Sequence, residues 1–219
     1  MSQPVDARQF APATQRNREP ILQVLQQVLP SDGAVLEISS GTGEHAVFLA
    51  PRLRSPAWIT SDLSPEARAS IAAWQAHSAA DNLYGPVALD AREAPWPVEQ
   101  SPLPEPLQAL DLAQQPICAI VNINMIHIAP WSACLGLMAG AERLLPIDGL
   151  LYLYGPFKQN GQHTAPSNAT FDASLQARNP EWGVRDLEAV IAIAQQHQLS
   201  LLKTVDMPAN NLSVIFQRR

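Results

Sequence analysis

The sequence predicts an α/β fold: a mostly parallel sheet of seven strands, helices on both of its faces, and an antiparallel hairpin closing it at the C-terminal edge. Three observations lead there. Short apolar and β-branched runs alternate with stretches of helical periodicity between residues 35 and 197, the pattern of strand–helix–strand units whose strands run parallel. Acidic residues, Glu37, Asp62 and Asp90, stand at or near the ends of three successive runs. The last two runs are joined by PANN at 208–211, too short for anything but an antiparallel turn.

Taken in order, EPILQVLQQVL at 19–29 sets Ile21, Leu22, Leu25, Val28 and Leu29 at helical spacing, with Pro20 in the first turn, where its missing N–H costs little. VLEIS at 35–39 reads as a strand covered on both faces, and a helix is expected from Thr42 to about Leu53. AWITSD at 57–62 repeats the strand signal; Ser64 as cap and Pro65 at the first helical position then open a helix to about His77. PVALD at 86–90 is a third strand, followed by a proline-rich connection in which Leu107 to Leu112 can make a short helix. ICAIVNIN at 117–124 is the most apolar strand, and WSACLGLMAGAERLL at 131–145 is a helix whose Gly136 and Gly140 permit close packing. GLLYLYG at 149–155 is strand five, a long polar loop follows, and RDLEAVIAIAQQH at 185–197 is an amphipathic helix. LSLLKTVDM and NLSVIFQ complete the seven strands.

A chain of 219 residues that is 47% hydrophobic and 16% charged suits one core, so 1–219 reads as one domain, with 1–30 as arm and opening helix and 155–184 as a cover on the substrate side. The net charge of -6 and the lack of a Lys/Arg stripe argue against nucleic acid. Cys118 and Cys134 lie in apolar runs and read as buried thiols. The first ten residues lack a signal-peptide core and no apolar stretch reaches the length of a membrane span, so a cytoplasmic protein without membrane contact is expected. No metal is expected.

The most informative segment is VLEISSGTGEH at 35–45. It joins a strand to a helix through a turn of small residues. Gly41 and Gly43 let the backbone turn sharply around Thr42 and approach a ligand, and free amides of the new helix favour an anionic group. Glu37 is an acid inside an apolar strand and needs a partner: it orients a ligand's amino group or the loop, or else caps local donors. Asp62, nineteen residues after Gly43, is placed to accept two bonds from adjacent ribose hydroxyls, or to cap the following helix. Asp90 with Ala91 suits the edge of an adenine, or opens a loop. Together the acids mark the rim where open α/β sheets bind nucleotides.

GTGEHA at 41–46 also fits a dinucleotide fingerprint, which makes a nicotinamide-dependent reductase the competing enzyme. Glu37 weighs against it: a pyrophosphate beside that carboxylate is repelled, whereas the sulfonium and ammonium of S-adenosylmethionine are attracted.

VLEISSGTGEH, SDLSPEA, LDA and NINMIH resemble the motifs of class I S-adenosylmethionine-dependent methyltransferases. RNREPIL at 16–22, NMIHIAPW at 124–131, YGPFKQNGQ at 154–162, SNATFDASLQARNPEWGVRD at 167–186 and VDMPANNLSVIF at 205–216 resemble one little-characterised subgroup, that of methyltransferase-like protein 26. The resemblance spans nearly the whole chain and implies a Rossmann-like methyltransferase fold that binds S-adenosylmethionine and releases S-adenosylhomocysteine. It implies a cofactor site of Asn17, Glu37, Ser39, Gly41, Thr42, Gly43, Asp62, Leu63, Asp90, Ala91 and Asn122, with the Arg16-Asn17 pair latching over the cofactor. Ser39 departs from the class, in which many members carry glycine at that point. The resemblance names no acceptor, which stays a small molecule or a protein.

On the substrate side, strands one and four flank the point where the strand order reverses, so Asn122, Asn124 and His127 are expected near the transferred methyl. His127 is a candidate base, or a histidine satisfied by loop backbone. Tyr154 joins Asn124 and His127 as a catalytic candidate. Asn160, Asn168, Asp172, Arg178, Trp182 and Asn210 are candidates to meet the substrate, the first five on the long loop and the last in the hairpin turn, where its bland role is turn chemistry. A module that binds the cofactor without catalysis is the third reading.

Overall fold

A computed structural model describes residues 6–219 of the protein. In chain order it contains α1 (Pro12–Val28), β1 (Ala34–Ile38), α2 (Glu44–Leu49), β2 (Ala57–Asp62), α3 (Pro65–Ala76), β3 (Leu83–Ala88), β4 (Ile117–Ile123), α4 (Trp131–Leu144) and β5 (Leu150–Gly155). There follow β6 (Phe157–Gln159), β7 (Gln162–His163), α5 (Pro166–Arg178), β8 (Arg185–Asp186), α6 (Leu187–Gln196), β9 (Leu199–Met207) and β10 (Asn211–Arg218). The seven-stranded sheet has the order β3-β2-β1-β4-β5-β10-β9, parallel from β3 through β5, with β10 antiparallel between β5 and β9. The order reverses between β1 and β4, neighbours as expected. The Rossmann-like α/β fold predicted from the sequence is the fold observed.

Alternation along the strands assigns the two faces. Val35 of β1, Trp58 of β2 and Val121 of β4 turn toward Ile21 and Leu25 of α1 and Phe48 and Leu49 of α2. Leu36, Ile38, Ile59 and Ile120 turn the other way, toward Leu137 and Met138 of α4 and Val190 and Ala194 of α6. Both faces are therefore dry, as a sheet with a parallel core requires. Glycine sets how near α4 comes: a Cβ at Gly136 would lie 2.1 Å from the Ala91 carbonyl oxygen, and one at Gly140 would lie 2.1 Å from the Trp96 ring.

Several boundaries differ from expectation. The opening helix begins at Pro12, not Glu19, and Pro20 lies inside it. Its buried stripe continues N-terminally through Thr14 and Asn17, polar residues that hydropathy does not count. β3 starts three residues before Pro86 and ends at Ala88, so Asp90 lies beyond the strand. The β2–β3 register shifts between Ile59 and Ser61, and β3 is an edge strand, where a proline is tolerated. In the proline-rich connection the short helix is a 3-10 turn at Glu105–Leu107. The supposed long loop after β5 holds α5 and a small sheet of order β7-β6-β8. No helix among the described residues is long and apolar enough to cross a membrane.

Candidate functional site

At the carboxyl ends of β1, β2 and β4 a cavity of about 840 Å3 opens, floored by the 39–42 loop and bounded by Asp62 and Leu63, by Asp90 and Ala91, by the 123–130 segment and by Trp182. The loop after β1 shapes it. Ser39 takes a left-handed φ of 56°, Gly41 one of 59° and Gly43 one of 89°, so the chain reverses within five residues. Gly43 also needs to lack a side chain, because a Cβ there would lie 2.9 Å from the Ile71 backbone of α3.

The loop's own hydrogen bonds occupy most of its amides. The Gly41 amide donates to Asp62 Oδ2 at 3.0 Å, Ser40 to the Ser61 carbonyl at 2.8 Å, Gly43 to the Ser40 carbonyl at 3.0 Å, and Glu44 to Thr42 Oγ1 at 3.4 Å. Of the amides at the start of α2 expected to be free, that of Glu44 is taken by Thr42, and the small-residue turn before it satisfies its own donors. Asn122 supports the turn from β4, its Nδ2 donating to the Ile38 carbonyl at 2.9 Å.

Glu37 is 1% exposed, and the Trp58 indole donates to its Oε2 at 3.0 Å. Burial raises its pKa to about 7, Trp58 and Ser40 oppose the rise, and the nearby Asp62 charge adds to it. The partner that the sequence demanded is thus a neutral indole, and the carboxyl still reaches the cavity. Asp62 is also buried, with Oδ2 on the Gly41 amide and Oδ1 on the Ser64 amide at 2.9 Å. Ser64, not Asp62, caps α3, accepting from the Ala67 amide at 3.2 Å. Asp90 is held by Arg92, whose Nη2 lies 2.6 Å from Oδ2 and whose Nε reaches Oδ1 at 2.9 Å; this pairing keeps the carboxyl below its ordinary pKa.

Of the expected cofactor residues, Glu37, Ser39, Gly41, Thr42, Asp62, Leu63, Asp90 and Ala91 line one cavity. Asn17, Gly43 and Asn122 stand behind it. Asn17 Oδ1 accepts from His45 Nε2 at 2.9 Å, and the roof over the cavity comes from Ala11, Ala13 and Thr14 rather than from Arg16 and Asn17. His45 was not anticipated. It lines the cavity, and burial, with the Arg18 charge nearby, lowers its pKa to about 4, so it is neutral near pH 7. Its partner Asn17 lies on α1, and nothing local in the sequence joins the two.

On the substrate side the structure separates the candidates. Asn124 lines the cavity in a left-handed conformation, φ 66°. His127 is fully buried beneath it: its Nδ1 accepts from the Arg185 amide at 3.3 Å, its ring meets Phe157 edge-on at 5.0 Å, and Gly155 is bare where a Cβ would lie 2.4 Å from Nε2. Burial and the Arg185 charge bring its pKa down to about 3. With Nδ1 accepting, Nε2 carries the ring proton, and it is buried without a hydrogen-bond partner among the described residues, so the loop satisfies only one side of the ring. Tyr154 is buried against the α1 side, and burial raises its pKa.

Trp182 alone of the remaining set lines the cavity. Asp172 ties the β6–β7 hairpin to α5, with Lys158 Nζ at 2.8 Å and His163 Nε2 at 3.1 Å, and accepts from the Val184 amide at 2.8 Å. Asn168 donates to the Asn210 carbonyl at 2.9 Å and Asn210 to Ser167 Oγ at 3.2 Å, which fastens α5 to the hairpin turn. Arg178 lies over the Trp182 ring at 5.3 Å, and Asn160 is exposed in the β6–β7 turn.

A family profile described as protein of unknown function (DUF938) matches residues 8–218. The chain belongs to that family. Solved structures similar to this DUF938 chain include an O-methyltransferase family protein from Burkholderia thailandensis, at 14% identity and TM-score 0.70 over 94% of this chain and 57% of that one. Human N-acetylserotonin methyltransferase in complex with SAM is similar at 11% identity and TM-score 0.70, over 94% of this chain and 52% of that one. The YcgJ protein from Bacillus subtilis matches over 94% of this chain and 99% of that one, at 13% identity and TM-score 0.66. The chain spans little more than half the length of the first two. Likeness at such identity is likeness of fold, and the Rossmann-like fold is one that this chain shares with these methyltransferases.

Proposed function

We propose that this DUF938 chain is one S-adenosylmethionine-dependent methyltransferase domain, of the subgroup that methyltransferase-like protein 26 represents, acting on a small molecule or a protein. The observation that carries the reading is Glu37. A carboxyl buried in the floor of a nucleotide-sized cavity, bonded by the Trp58 indole and with its pKa raised to about 7, is suited to a cationic ligand, which favours its ionised form, whereas a pyrophosphate disfavours that form. Asp62 fits the same ligand. Each of its oxygens accepts one backbone N–H, and a carboxylate has capacity for about four acceptor contacts, so room remains for two ribose hydroxyls.

When bound, S-adenosylmethionine supplies an electrophilic methyl group on a sulfonium. Glu37, ionised beside that cation, holds the amino-acid end; Ser39, Gly41, Thr42 and Gly43 shape the turn beneath it, with Asn17 and Asn122 bracing the turn from α1 and β4. Asp62 holds the ribose, and Leu63, Asp90 and Ala91 bound the adenine. Asn124 lies where an acceptor approaches, and His127 and Tyr154 position it from below. Positioning of this kind supplies ~7–11 kcal/mol in favourable cases, so the site does not depend on a strong base. The segment 155–184 covers the acceptor side, Trp182 reaching in while Asn160, Asn168, Asp172, Arg178 and Asn210 hold it in place.

Calorimetric titration with S-adenosylmethionine, S-adenosylhomocysteine and NADH tests this. Saturable binding of the first two alone is expected, and Asp62→Ala should weaken it at least about tenfold through loss of charged hydrogen bonds. Binding of NADH alone would restore the nicotinamide-dependent reductase.

A further inference from the structure

We infer that the sector of the cavity between the 125–133 segment and Trp182 is an acceptor pocket for a small, uncharged, planar aromatic compound held against the Trp182 ring. This deepens, and rests on, the methyltransferase reading.

The chemistry of the walls sets the class of compound. Met125, Ile128, Ala129, Pro130, Ala133 and Trp182 carry no ionisable group. Ile128 keeps 44% of its surface exposed, an apolar residue left uncovered beside a cavity, where a ligand's apolar surface would be favoured. Three of the charges nearby are already engaged. Arg92 is held in two-pronged contact with Asp90. The Arg185 guanidinium donates to the carbonyls of Ile126, Ala129 and Glu181 at 2.8, 2.6 and 2.9 Å and lies over Trp131. Lys158 is paired with Asp172. Arg178, exposed, lies over the Trp182 ring at 5.3 Å, but the walls themselves carry no charge, so a charged acceptor would lose its water against them, a cost that a neutral ring avoids.

The backbone that carries the ring is also held in place before any ligand arrives. The Trp182 amide donates to the Asn179 carbonyl at 3.0 Å, and each of the next three amides is bonded: Gly183 to the His127 carbonyl at 2.9 Å, Val184 to Asp172 Oδ1 at 2.8 Å, Arg185 to His127 Nδ1 at 3.3 Å. Gly183 permits this approach, since a Cβ there would lie 2.7 Å from Asp172 Oδ1. Asp172 and His127 thereby act as positioning residues for Trp182. A large rigid aromatic surface, fixed at the mouth of an apolar sector, binds flat rings at little entropic cost.

Three probes of one shape and different charge test the inference at pH 7: 2-naphthol, 2-naphthoate and 2-naphthylmethylamine, titrated calorimetrically into the full chain with and without saturating S-adenosylhomocysteine. Naphthol should bind at least about tenfold more tightly than either charged probe. Trp182→Ala should weaken naphthol at least about tenfold while changing S-adenosylhomocysteine affinity less than about twofold, and Trp182→Phe should keep most of the naphthol affinity. Preserved S-adenosylhomocysteine binding certifies that the variants fold. A charged probe binding as well as naphthol, unchanged naphthol binding in Trp182→Ala, or equal loss of naphthol and S-adenosylhomocysteine in that variant would overturn the assignment. If the unmodified chain binds naphthol through Trp182 but not S-adenosylhomocysteine, the aromatic pocket stands and the methyl-donor reading falls.

Discussion

Ser39 holds a left-handed φ of 56° without any hydrogen bond from its hydroxyl among the described residues. For an L-residue that conformation costs ~1–2 kcal/mol, of which glycine's greater chain entropy would cancel roughly 0.5–1. Ser39→Gly is therefore expected to raise Tm, by up to about 2–4 °C, in a melting experiment; a fall would show that the hydroxyl has a partner in solution. Glu37 behaves in the opposite way. Its folded pKa of about 7 exceeds the ordinary 4.5, so its contribution to stability is complete below pH 4.5 and is lost as pH rises through 7. At pH 8 Glu37→Gln should stabilise the ligand-free protein by on the order of 1–3 kcal/mol and weaken S-adenosylmethionine binding. Melting curves and calorimetry on the same variant read both. A variant that loses stability at pH 8 would contradict the burial of an unneutralised carboxyl. The need of Glu37 for a partner was legible in the sequence; that the partner is the Trp58 indole was not, because the two meet only across neighbouring strands.

At the scale of elements, α4 couples packing to the cavity. Gly136 rests on the Ala91 backbone, and Ala91 is a cavity wall. Gly136→Ala should push the helix or the 89–92 loop aside, at a cost of about 1–3 kcal/mol, and lower cofactor affinity as well. Gly140→Ala meets the Trp96 ring instead, which does not line the cavity, and should lower Tm with less effect on binding. Comparing Tm and calorimetric affinity for the pair separates the two routes, and equal affinities in both variants would sever α4 from the site. The segment after β5 shows where local signals stop. Its apolar residues are sparse, and α5 buries Asn168, Asp172 and Leu175, two of them polar. A helix whose hidden face is made of hydrogen-bonding residues leaves no apolar stripe to read.

For the whole molecule, the buried titratable groups set the pH at which the fold is most stable. His127 and His45 have folded pKa values of about 3 and about 4 against 6.5 unfolded, so their contributions are full above pH 6.5 and are lost as pH falls through the folded values. Glu37 opposes them between pH 4.5 and 7. Two groups of one sign against one of the other leave a net loss of about 1.4 kcal/mol per pH unit between 6.5 and 4.5, so the ligand-free protein should be most stable near pH 6.5. Denaturant midpoints across pH 4.5–8.5 check this. A maximum at pH 8 or above would mean that Glu37 is ionised in the ligand-free fold.

The sequence by itself determined the strand–helix alternation, the β2 and β9 boundaries, the Ser64 cap, the terminal hairpin and the acids at the rim, because each is written in a few neighbouring residues: β-branched runs, a Ser-Pro-Glu start, a four-residue turn. Only the tertiary structure decided the rest. Pro86 falls inside β3 because that strand is at an edge and its register shifts; α1 begins at Pro12 because Thr14 is buried there and Asn17 finds a partner in His45; His127 faces the core because Gly155 leaves room for it. Each of these outcomes depends on what lies across from a residue in space, and the energy of a buried polar group is set by that neighbour rather than by the chain on either side of it.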